Sequence, residues 1–404
     1  MIGSVLFYVQ HLLGIGHLKR ALRIVDALAR EGVEVTVVSG GEPVAAVASA
    51  ITTQIIQLPP IRARDAGFRE LVDAAGRPVN ADLRIARRKA LLEALAAARP
   101  DAVLIEAFPF GRRAFRFELD ALIDAARSRL PRPLVLCSLR DIVVLHDKKR
   151  GQEIVDRVRA DFDFVLVHSD PKLVPLDASF PAAPEISDRL IYTGYVAAAD
   201  ILAEASLPAP GSDDSAGLDE VVVSVGGGAV GGALLSTALE TRRRGFLTGL
   251  TWRLLTGPNL PEPQFEALAS NLPERVTVER YRHEFPHILR RCHVSVSQGG
   301  YNTVMDVLEA RAPAVVVPFA SERETEQGLR AERLAARGIL EVVHERELSP
   351  ERLVQAIDRA INRPSAPIAI DTGGARRAAS LIVGMISSAR DLSRAQGKIC
   401  GASD

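Results

Sequence analysis

The chain has 404 residues, of which 47% are apolar and 25% charged, and its 50 basic residues are balanced by 50 acidic ones. This composition is globular, and the length is too great for one ordinary core, so two domains are expected. The balanced charge argues against a dedicated nucleic-acid binder or a strongly basic membrane-surface protein, and it points to a small-molecule partner.

Short apolar runs alternate with helical patterns through the first half of the chain. The predicted strands are residues 5–9, 33–38, 54–58, 102–105, 134–136 and 164–167. The predicted helices are residues 18–30, 81–99 and 113–128. This alternation predicts a doubly wound parallel α/β sheet. Between residues 62 and 80 a polar, arginine-rich stretch interrupts the pattern, and we interpret it as a candidate mobile loop.

A turn that contains Gly14 and Gly16 follows the first strand and opens the first helix. It lacks the dinucleotide-binding fingerprint Gly-x-Gly-x-x-Gly, because Lys19 occupies the position of the third glycine. The end of the next predicted strand, at residues 37–39, also carries no acid that could bind a nucleotide ribose. His17 therefore stands either in an ordinary turn, where it caps the helix or packs, or at a functional site. At a helix N-terminus the dipole disfavours a cationic imidazole, so a functional His17 is expected to be a neutral proton acceptor.

Glu106 is the second candidate of the first half, with the run Phe-Pro-Phe-Gly-Arg-Arg just after it. A carboxylate at the end of a buried strand is costly unless it is paired or solvated. One interpretation pairs Glu106 with Arg112 or Arg113 in a structural salt bridge. The other makes it an acceptor-binding group or a base that tunes His17.

Further residues are assigned to the acceptor side of this site. They are Gly14, Gly16, Arg20 and Arg112. His11, in the same loop as His17, is interpreted as structural or acceptor-facing.

A stretch of small and acidic residues, 208–217, separates a second α/β series from the first. Its strands are predicted at residues 221–225, 252–255, 276–278, 294–297 and 314–317. The predicted organisation is an N-terminal Rossmann-like domain at 1–200, a linker at 201–219, a second Rossmann-like domain at 220–374 and a C-terminal helix at 375–404.

Three glycines follow the first strand of the second domain: Gly226, Gly227 and Gly228. No Gly-Lys-Ser/Thr accompanies them, so they do not form a Walker A loop. Glycines allow the backbone to approach a diphosphate and to donate N–H groups to it. The alternative, a flexible linker end, is weaker because the glycines directly follow a β run.

A second glycine turn, Gly299-Gly300, joins an apolar strand to a helical pattern. Such a turn places free N–H groups and the positive end of a helix dipole at the carboxyl edge of a sheet, so we interpret it as a phosphate site. The helix that follows carries three polar candidates. They are Asn302, Thr303 and, about two turns into the helix, Asp306.

Residues 297–338 resemble the donor-binding region of the family 28 glycosyltransferases of the GT-B fold, the family of the peptidoglycan N-acetylglucosaminyl transferase and related predicted glycosyltransferases. The resemblance rests on Gly-Gly-Tyr-Asn-Thr, an acid three residues later, a buried strand that ends in Val-Pro-Phe, then Glu-Gln and Arg-Ala. It implies two Rossmann-like doubly wound domains that face each other across a cleft, with the last helix crossing back to the N-terminal domain.

The resemblance also implies roles for individual residues. Asp306 would bind the ribose hydroxyls of a uridine nucleotide, although the family commonly has Glu there, one methylene longer. Glu326 and Gln327 would hold the donor sugar. Phe285 and its neighbours would form the base pocket, and His17 would act in the reaction, as a histidine of this turn does in many GT-B transferases.

The function implied is transfer of a sugar from a nucleotide-sugar donor, UDP-linked by resemblance, to an unknown acceptor hydroxyl with inversion at the anomeric carbon. No cofactor or metal is expected, because the chain has no Asp-x-Asp run of the kind that holds a divalent ion on nucleotide-sugar phosphates in the other large glycosyltransferase fold, and its histidines lack metal-ligand spacing. Two alternatives stay open. One is a nucleotide-sugar hydrolase or epimerase on the same fold, and the other is a UDP-sugar-binding protein without catalysis.

A cytoplasmic location is expected from the sequence. Three cysteines lie far apart, which suits a reducing compartment. No apolar run reaches the roughly 20 residues of a membrane span, and the N-terminus turns polar at Gln10 before a signal peptide could be completed. Peripheral contact with the inner face of the membrane stays open.

Overall fold

The computed structural model describes residues 2–12, 15–44, 53–64, 70–144, 147–197, 215–227, 231–282, 284–319, 326–364 and 370–400, with the backbone alone at 393–400. Two compact units make up the chain. The first is Met1–Val196 with Gly373–Asp404, and the second is Ala197–Thr372. The predicted linker at 201–219 lies outside the described residues as far as residue 214.

The first unit is built on a parallel sheet. Its strands are β1 Gly3–Val9, β2 Val33–Ser39, β3 Gln54–Gln57, β4 Ile61–Ala63, β5 Leu71–Asp73, β6 Ala102–Glu106, β7 Leu134–Arg140, β8 Phe164–His168 and β9 Leu190–Tyr192. Seven of them pair in the order β3-β2-β1-β6-β7-β8-β9, all parallel. The predicted doubly wound sheet is confirmed in this unit.

Helices cover both faces of this sheet. They are α1 Gly16–Arg30, α2 Ala81–Ala98, α3 Arg116–Arg127 and α4 Lys148–Asp161. Alternate residues of β1 enter different cores: Leu6 and Tyr8 pack with α2 and α3, while Val5 and Phe7 pack with α1. Burial on both faces explains why β1 is a continuous apolar run rather than an alternating one.

Helix α4 was missed by the sequence analysis. Its sequence is dominated by charged residues, and only Ile154, Val155 and Val158 form a fully buried aliphatic stripe. Asp147 caps its N-terminus by accepting a hydrogen bond from the Arg150 N–H at 2.8 Å.

The candidate mobile loop at 62–80 is corrected by the structure. Strands β4 and β5 pair there as a two-stranded antiparallel sheet, while residues 65–69 lie outside the described part. Ile61, Ala63 and Val72 are fully buried. Three-residue strands are too short to show a two-residue alternation, so the sequence pattern gave no sign of them.

The second unit repeats the architecture with six strands. They are β10 Glu220–Ser224, β11 Thr251–Leu255, β12 Val276–Glu279, β13 Val294–Gln298, β14 Ala314–Val317 and β15 Glu341–Val342. Their order is β12-β11-β10-β13-β14-β15, again all parallel. The helices of this unit are α5 Gly232–Arg243, α6 Glu262–Ala269, α7 Phe285–Arg291, α8 Tyr301–Ala310, α9 Glu326–Ala335 and α10 Pro350–Ile361.

The last helix, α11 Gly374–Cys400, belongs to the first unit and packs on α1. Ala375, Ala378 and Ile382 enter the same core as α1. Arg390 adds a bidentate pair with Asp101, at 3.0 and 2.8 Å. In the described part of the chain, no helix is both long enough and apolar enough to span a membrane.

Candidate functional site

The sheet order of the first unit brings His17 and Glu106 to one edge. Strands β1 and β6 are neighbours, paired in parallel from Val5↔Ala102 to Tyr8↔Ile105. The turn after β1 leads into α1, whose second residue is His17, and Glu106 is the last residue of β6. Since parallel strands end at the same edge of a sheet, two residues 89 positions apart become neighbours.

Three side chains converge on the Glu106 carboxylate. Nδ1 of His17 lies 2.6 Å from Oε1, and Nη2 of Arg20 lies 2.6 Å from the same oxygen. Nη2 of Arg112 lies 3.4 Å from Oε2. The Glu106 side chain is 1% exposed, whereas that of His17 is 27% exposed. The histidine is thus the member of this group that solvent or a ligand can reach.

The charges around this group set its protonation. Burial alone would raise the pKa of Glu106, but the hydrogen bond from His17 and the positive charges of Arg112 and Arg20 outweigh burial and hold that pKa well below its usual range. Burial lowers the pKa of His17 to about 4, although Glu106 favours the protonated ring. At neutral pH the carboxylate is therefore ionised and the imidazole neutral.

This protonation state fixes the tautomer of His17. The contact with an ionised carboxylate requires the hydrogen on Nδ1, which donates to Glu106 Oε1. Nε2 then carries the lone pair and can accept a proton. A neutral imidazole oriented by a carboxylate is the arrangement of a general base.

The structure bears on the structural interpretation of Glu106, and the functional one stays a prediction. Arg112 is a salt-bridge partner, as the structural interpretation expects, and the carboxylate also contacts His17. Sequence reasoning missed the shorter bond to Arg20. Its signal was present, because Arg20 follows His17 by one helical turn and so lies on the same face of α1.

The other first-unit candidates are placed as follows. Gly16 opens α1, and Gly14 lies outside the described residues. His11 is 5% exposed, and its Nε2 lies 3.1 Å from the Glu42 carbonyl oxygen, which fits the structural interpretation.

A buried polar network braces the same sheet edge. Arg87 donates to both oxygens of Glu118, at 2.8 and 2.6 Å, and to Oε1 of Gln10 at 2.8 Å. Tyr8 donates to Glu118 at 2.6 Å. Arg87, Glu118, Tyr8 and Gln10 are fully buried, so the network fixes the end of β1 without entering the group around His17.

We expect the pH dependence of the reaction to report the pKa of His17. If its neutral ring is the base, kcat/KM is flat through neutral pH and falls as pH drops through about 4, because protonation removes the acceptor. The same titration affects folding. In the unfolded chain the histidine pKa is near 6.5, so as the pH falls the unfolded chain binds a proton before the folded chain does, and the free energy of unfolding declines between about pH 6.5 and 4. Initial rates between pH 3.5 and 8 test this.

Aliquots returned to pH 7 before assay separate reversible titration from unfolding. An acid limb near pH 6.5, the ordinary histidine value, would contradict the lowered pKa of His17.

The second unit carries the glycine turns side by side. Strands β10 and β13 are neighbours, with Ser224 opposite Ser297. Gly226 has φ +64°, a left-handed conformation that favours glycine, and a Cβ added there would lie 3.6 Å from Oγ1 of Thr303. The glycine turn after β10 thus reaches the first turn of α8. Gly227 follows in the same turn, and Gly228 lies outside the described residues.

Helix α8 begins without a side-chain cap. Gly300 is its N-cap residue, and glycine has no side chain that could cap the helix. These groups, with the helix dipole, are suited to bind an anion. Asn302 and Thr303 lie in this first turn, and Asp306 lies deeper in the same helix at 8% exposure.

Gln327 packs directly on the glycine turn. A Cβ at Gly299 would lie 3.2 Å from Oε1 of Gln327, so a larger residue at 299 would displace this side chain. The same oxygen accepts a hydrogen bond from the Phe319 N–H at 3.0 Å. Glu326 and Gln327 are the first residues of α9.

Phe285 is the first residue of α7, and it is half-buried. The Pro286 that follows lies in the first turn of the helix, where a missing N–H costs nothing.

No group of three His, Cys, Asp or Glu side chains that could hold a metal ion occurs among the described residues.

Comparison with known proteins agrees with this architecture. Residues 222–382 match the glycosyltransferase family 28 C-terminal domain. The chain is 26% identical over 207 residues to the UDP-N-acetylglucosamine–N-acetylmuramyl-(pentapeptide) pyrophosphoryl-undecaprenol N-acetylglucosamine transferase of Rhizobium etli. That match covers 50% of this chain and 54% of the transferase, so the chain spans about half the length of this curated relative.

Two solved structures are similar over nearly their whole length. The calicheamicin glycosyltransferase CalG4 has a TM-score of 0.58 at 16% identity, with 99% of this chain and 98% of that one covered. MurG of Acinetobacter baumannii has a TM-score of 0.56 at 17% identity, with 96% and 99% covered. At these identities the similarity shows the fold. Residues 222–382 therefore match a family 28 C-terminal domain, and the chain has the fold of these GT-B glycosyltransferases.

Proposed function

We propose that this protein transfers a sugar from a UDP-linked donor to an acceptor hydroxyl. The observation that carries the proposal is the 2.6 Å contact between His17 Nδ1 and Glu106, which leaves Nε2 as a proton acceptor at the edge of the first sheet. The match to the family 28 C-terminal domain supports the donor half of the proposal.

The first unit activates the acceptor. Nε2 of His17 removes the proton of the attacking hydroxyl as the new glycosidic bond forms, and the ring becomes an imidazolium. Glu106 stabilises that cation through the Nδ1–H bond. Arg20 and Arg112 keep the carboxylate ionised and fixed, so it does not take the proton itself.

The second unit binds the donor. The uncapped N-terminus of α8 and the glycine turn at Gly226 supply N–H groups for the diphosphate, and they stabilise the charge that develops on the departing UDP. Asp306 accepts hydrogen bonds from the ribose hydroxyls. Glu326 and Gln327 contact the hydroxyl groups of the sugar.

The stereochemical outcome and the lack of a metal are parts of the same proposal. Attack by one base-activated hydroxyl on the face opposite UDP inverts the anomeric carbon. Amide groups and the helix dipole take the part that a divalent ion plays elsewhere, so no metal is needed.

Product analysis tests the proposal. Incubation with a panel of UDP-sugars and hydroxyl-bearing acceptors in EDTA is expected to give UDP together with a glycoside of inverted anomeric configuration, read by NMR. Free sugar as the sole product would replace transfer by hydrolysis. A changed sugar still linked to UDP would replace it by epimerisation, and UDP-sugar binding without any turnover would leave a binding protein.

Replacing Asp306 with alanine should weaken UDP binding by about ten- to a hundredfold, because hydrogen bonds to a charged group are each worth about 1.5–3 kcal/mol. Calorimetric titration in EDTA measures this and tests at the same time whether binding needs a metal. Glu309→Gln, one turn later on α8, is the matched control and should bind UDP normally.

The ribose contact is tested with 2′-deoxy-UDP. The wild-type protein should bind it more weakly than UDP, while Asp306→Ala should no longer discriminate between the two. Equal discrimination in both proteins would remove Asp306 from the ribose site.

A further inference from the structure

Arg330 is a fully buried cation in the second unit. It lies on α9, four residues after Glu326, and its exposure is 0%. Burying a guanidinium is costly unless partners surround it, so its contacts indicate what it holds in place.

Its contacts join two separate segments. Nη1 donates to the carbonyl oxygen of Gly299 at 3.4 Å, and Nη2 lies 3.5 Å from Oε1 of Glu326. The guanidinium carbon lies 5.2 Å from the centre of the Tyr301 ring, within the range of a cation–π contact. Arg330 therefore connects the turn that begins α8 with the acid that begins α9.

Gln327 has contacts of its own. Its Oε1 accepts from the Phe319 N–H and packs on Gly299. Glu326, by contrast, is 12% exposed on its side chain and has its carboxylate against Arg330. The two neighbouring residues at the start of α9 are thus oriented by different partners.

We propose that Arg330 is a positioning residue that orients the Glu326 carboxylate toward the donor sugar and ties it to the glycine turn. This inference rests on the proposed function and deepens it. The glycine turn also has backbone hydrogen bonds of its own, from the Gly299 N–H to the Val317 carbonyl at 3.3 Å and from the Gly300 N–H to the Gln298 carbonyl at 2.9 Å. Loss of Arg330 is therefore expected to affect recognition of the sugar through Glu326 and to leave recognition of the nucleotide unchanged.

The two effects can be separated with two ligands. In Arg330→Met, the Kd for UDP-N-acetylglucosamine, measured by calorimetry, should rise about tenfold, the size expected for one lost charge-assisted contact. The Kd for UDP should stay within about twofold. Arg330→Lys keeps the positive charge but loses the planar guanidinium group with its several N–H donors, so the Kd for UDP-N-acetylglucosamine should rise by an intermediate amount. Arg333→Met, on the exposed face of α9, is the matched control and should bind both ligands normally.

A double-mutant cycle identifies Glu326 as the residue through which Arg330 acts. Glu326→Gln should reproduce the loss, and the double variant Glu326→Gln/Arg330→Met should lose no more than either single variant. The double variant also removes the unpaired carboxylate, so it can be measured even if Arg330→Met alone folds poorly.

Equal losses for both ligands, no loss for either, or additive losses in the double variant would each overturn the positioning role. Failure of the wild-type protein to bind UDP at all would instead overturn the proposed function.

Discussion

Replacing His17 with alanine is expected to lower kcat by about 10²–10⁴-fold, the usual contribution of a positioned general base. The neutral ring has a pKa of about 4, and its Nδ1 is bonded to Glu106, so Nε2 is the proton acceptor that alanine removes. UDP affinity should be unchanged, because His17 belongs to the first unit and the proposed nucleotide contacts belong to the second.

The measurement is the rate of UDP release with an accepted donor and acceptor, together with a calorimetric titration with UDP. Added imidazole should restore part of the rate in His17→Ala. Lys19→Ala, in the same turn of α1, shows whether a change in this turn is by itself enough to slow the reaction. Wild-type turnover in His17→Ala would contradict the assignment of the base.

Replacing Glu106 with glutamine is expected to affect both catalysis and stability. A glutamine amide can present its NH₂ group to Nδ1, which moves the ring hydrogen to Nε2 and removes the acceptor, so kcat should fall by about 10²-fold or more. Arg20 and Arg112 lose the carboxylate they share, and breaking a buried pair of this kind costs about 3–5 kcal/mol in the free energy of unfolding.

Glu118→Gln is the matched control for this variant. Glu118 is an equally buried acid that pairs with Arg87, away from His17, so its loss should destabilise the fold while kcat per folded molecule stays normal. Urea unfolding and kcat, each corrected for the folded fraction, separate the two effects. A normal kcat in Glu106→Gln would reduce Glu106 to a structural ion-pair partner.

The pH profile of Glu106→Gln supplies a second readout. The negative charge of Glu106 raises the pKa of His17, so its removal lowers that pKa further. Any activity that remains in Glu106→Gln should therefore begin to fall at a lower pH than the activity of the wild-type enzyme does. A shift of the acid limb to higher pH would show that a different group titrates.

Local pattern was enough to predict most of the architecture. The long apolar runs marked the strands of both parallel sheets except β9 and β15, because burial on two faces leaves little room for polar side chains. The turn at Gly299 and Gly300 and the helix after it were found from glycines that follow a β-branched run. The same stretch carried the resemblance to family 28, which the domain match confirms.

Elements with weak local signals were not found. The two strands at residues 61–63 and 71–73 are too short to show the two-residue alternation of a strand. In α4 the few buried apolar residues stand among many charged ones, so its helical pattern is weak. In both cases tertiary packing stabilises a structure that local propensity does not mark.

The sequence by itself determined the class of fold, the resemblance of the second half to family 28 and the residue types from which a base and an anion site could be built. Only the tertiary structure decided which of these residues meet. The sheet order that sets β1 beside β6 brings His17 and Arg20 onto the Glu106 carboxylate, and the packing of α9 brings Arg330 onto Gly299. These are contacts between residues tens of positions apart, and they depend on how the strands and helices pack, which no local period in the sequence records.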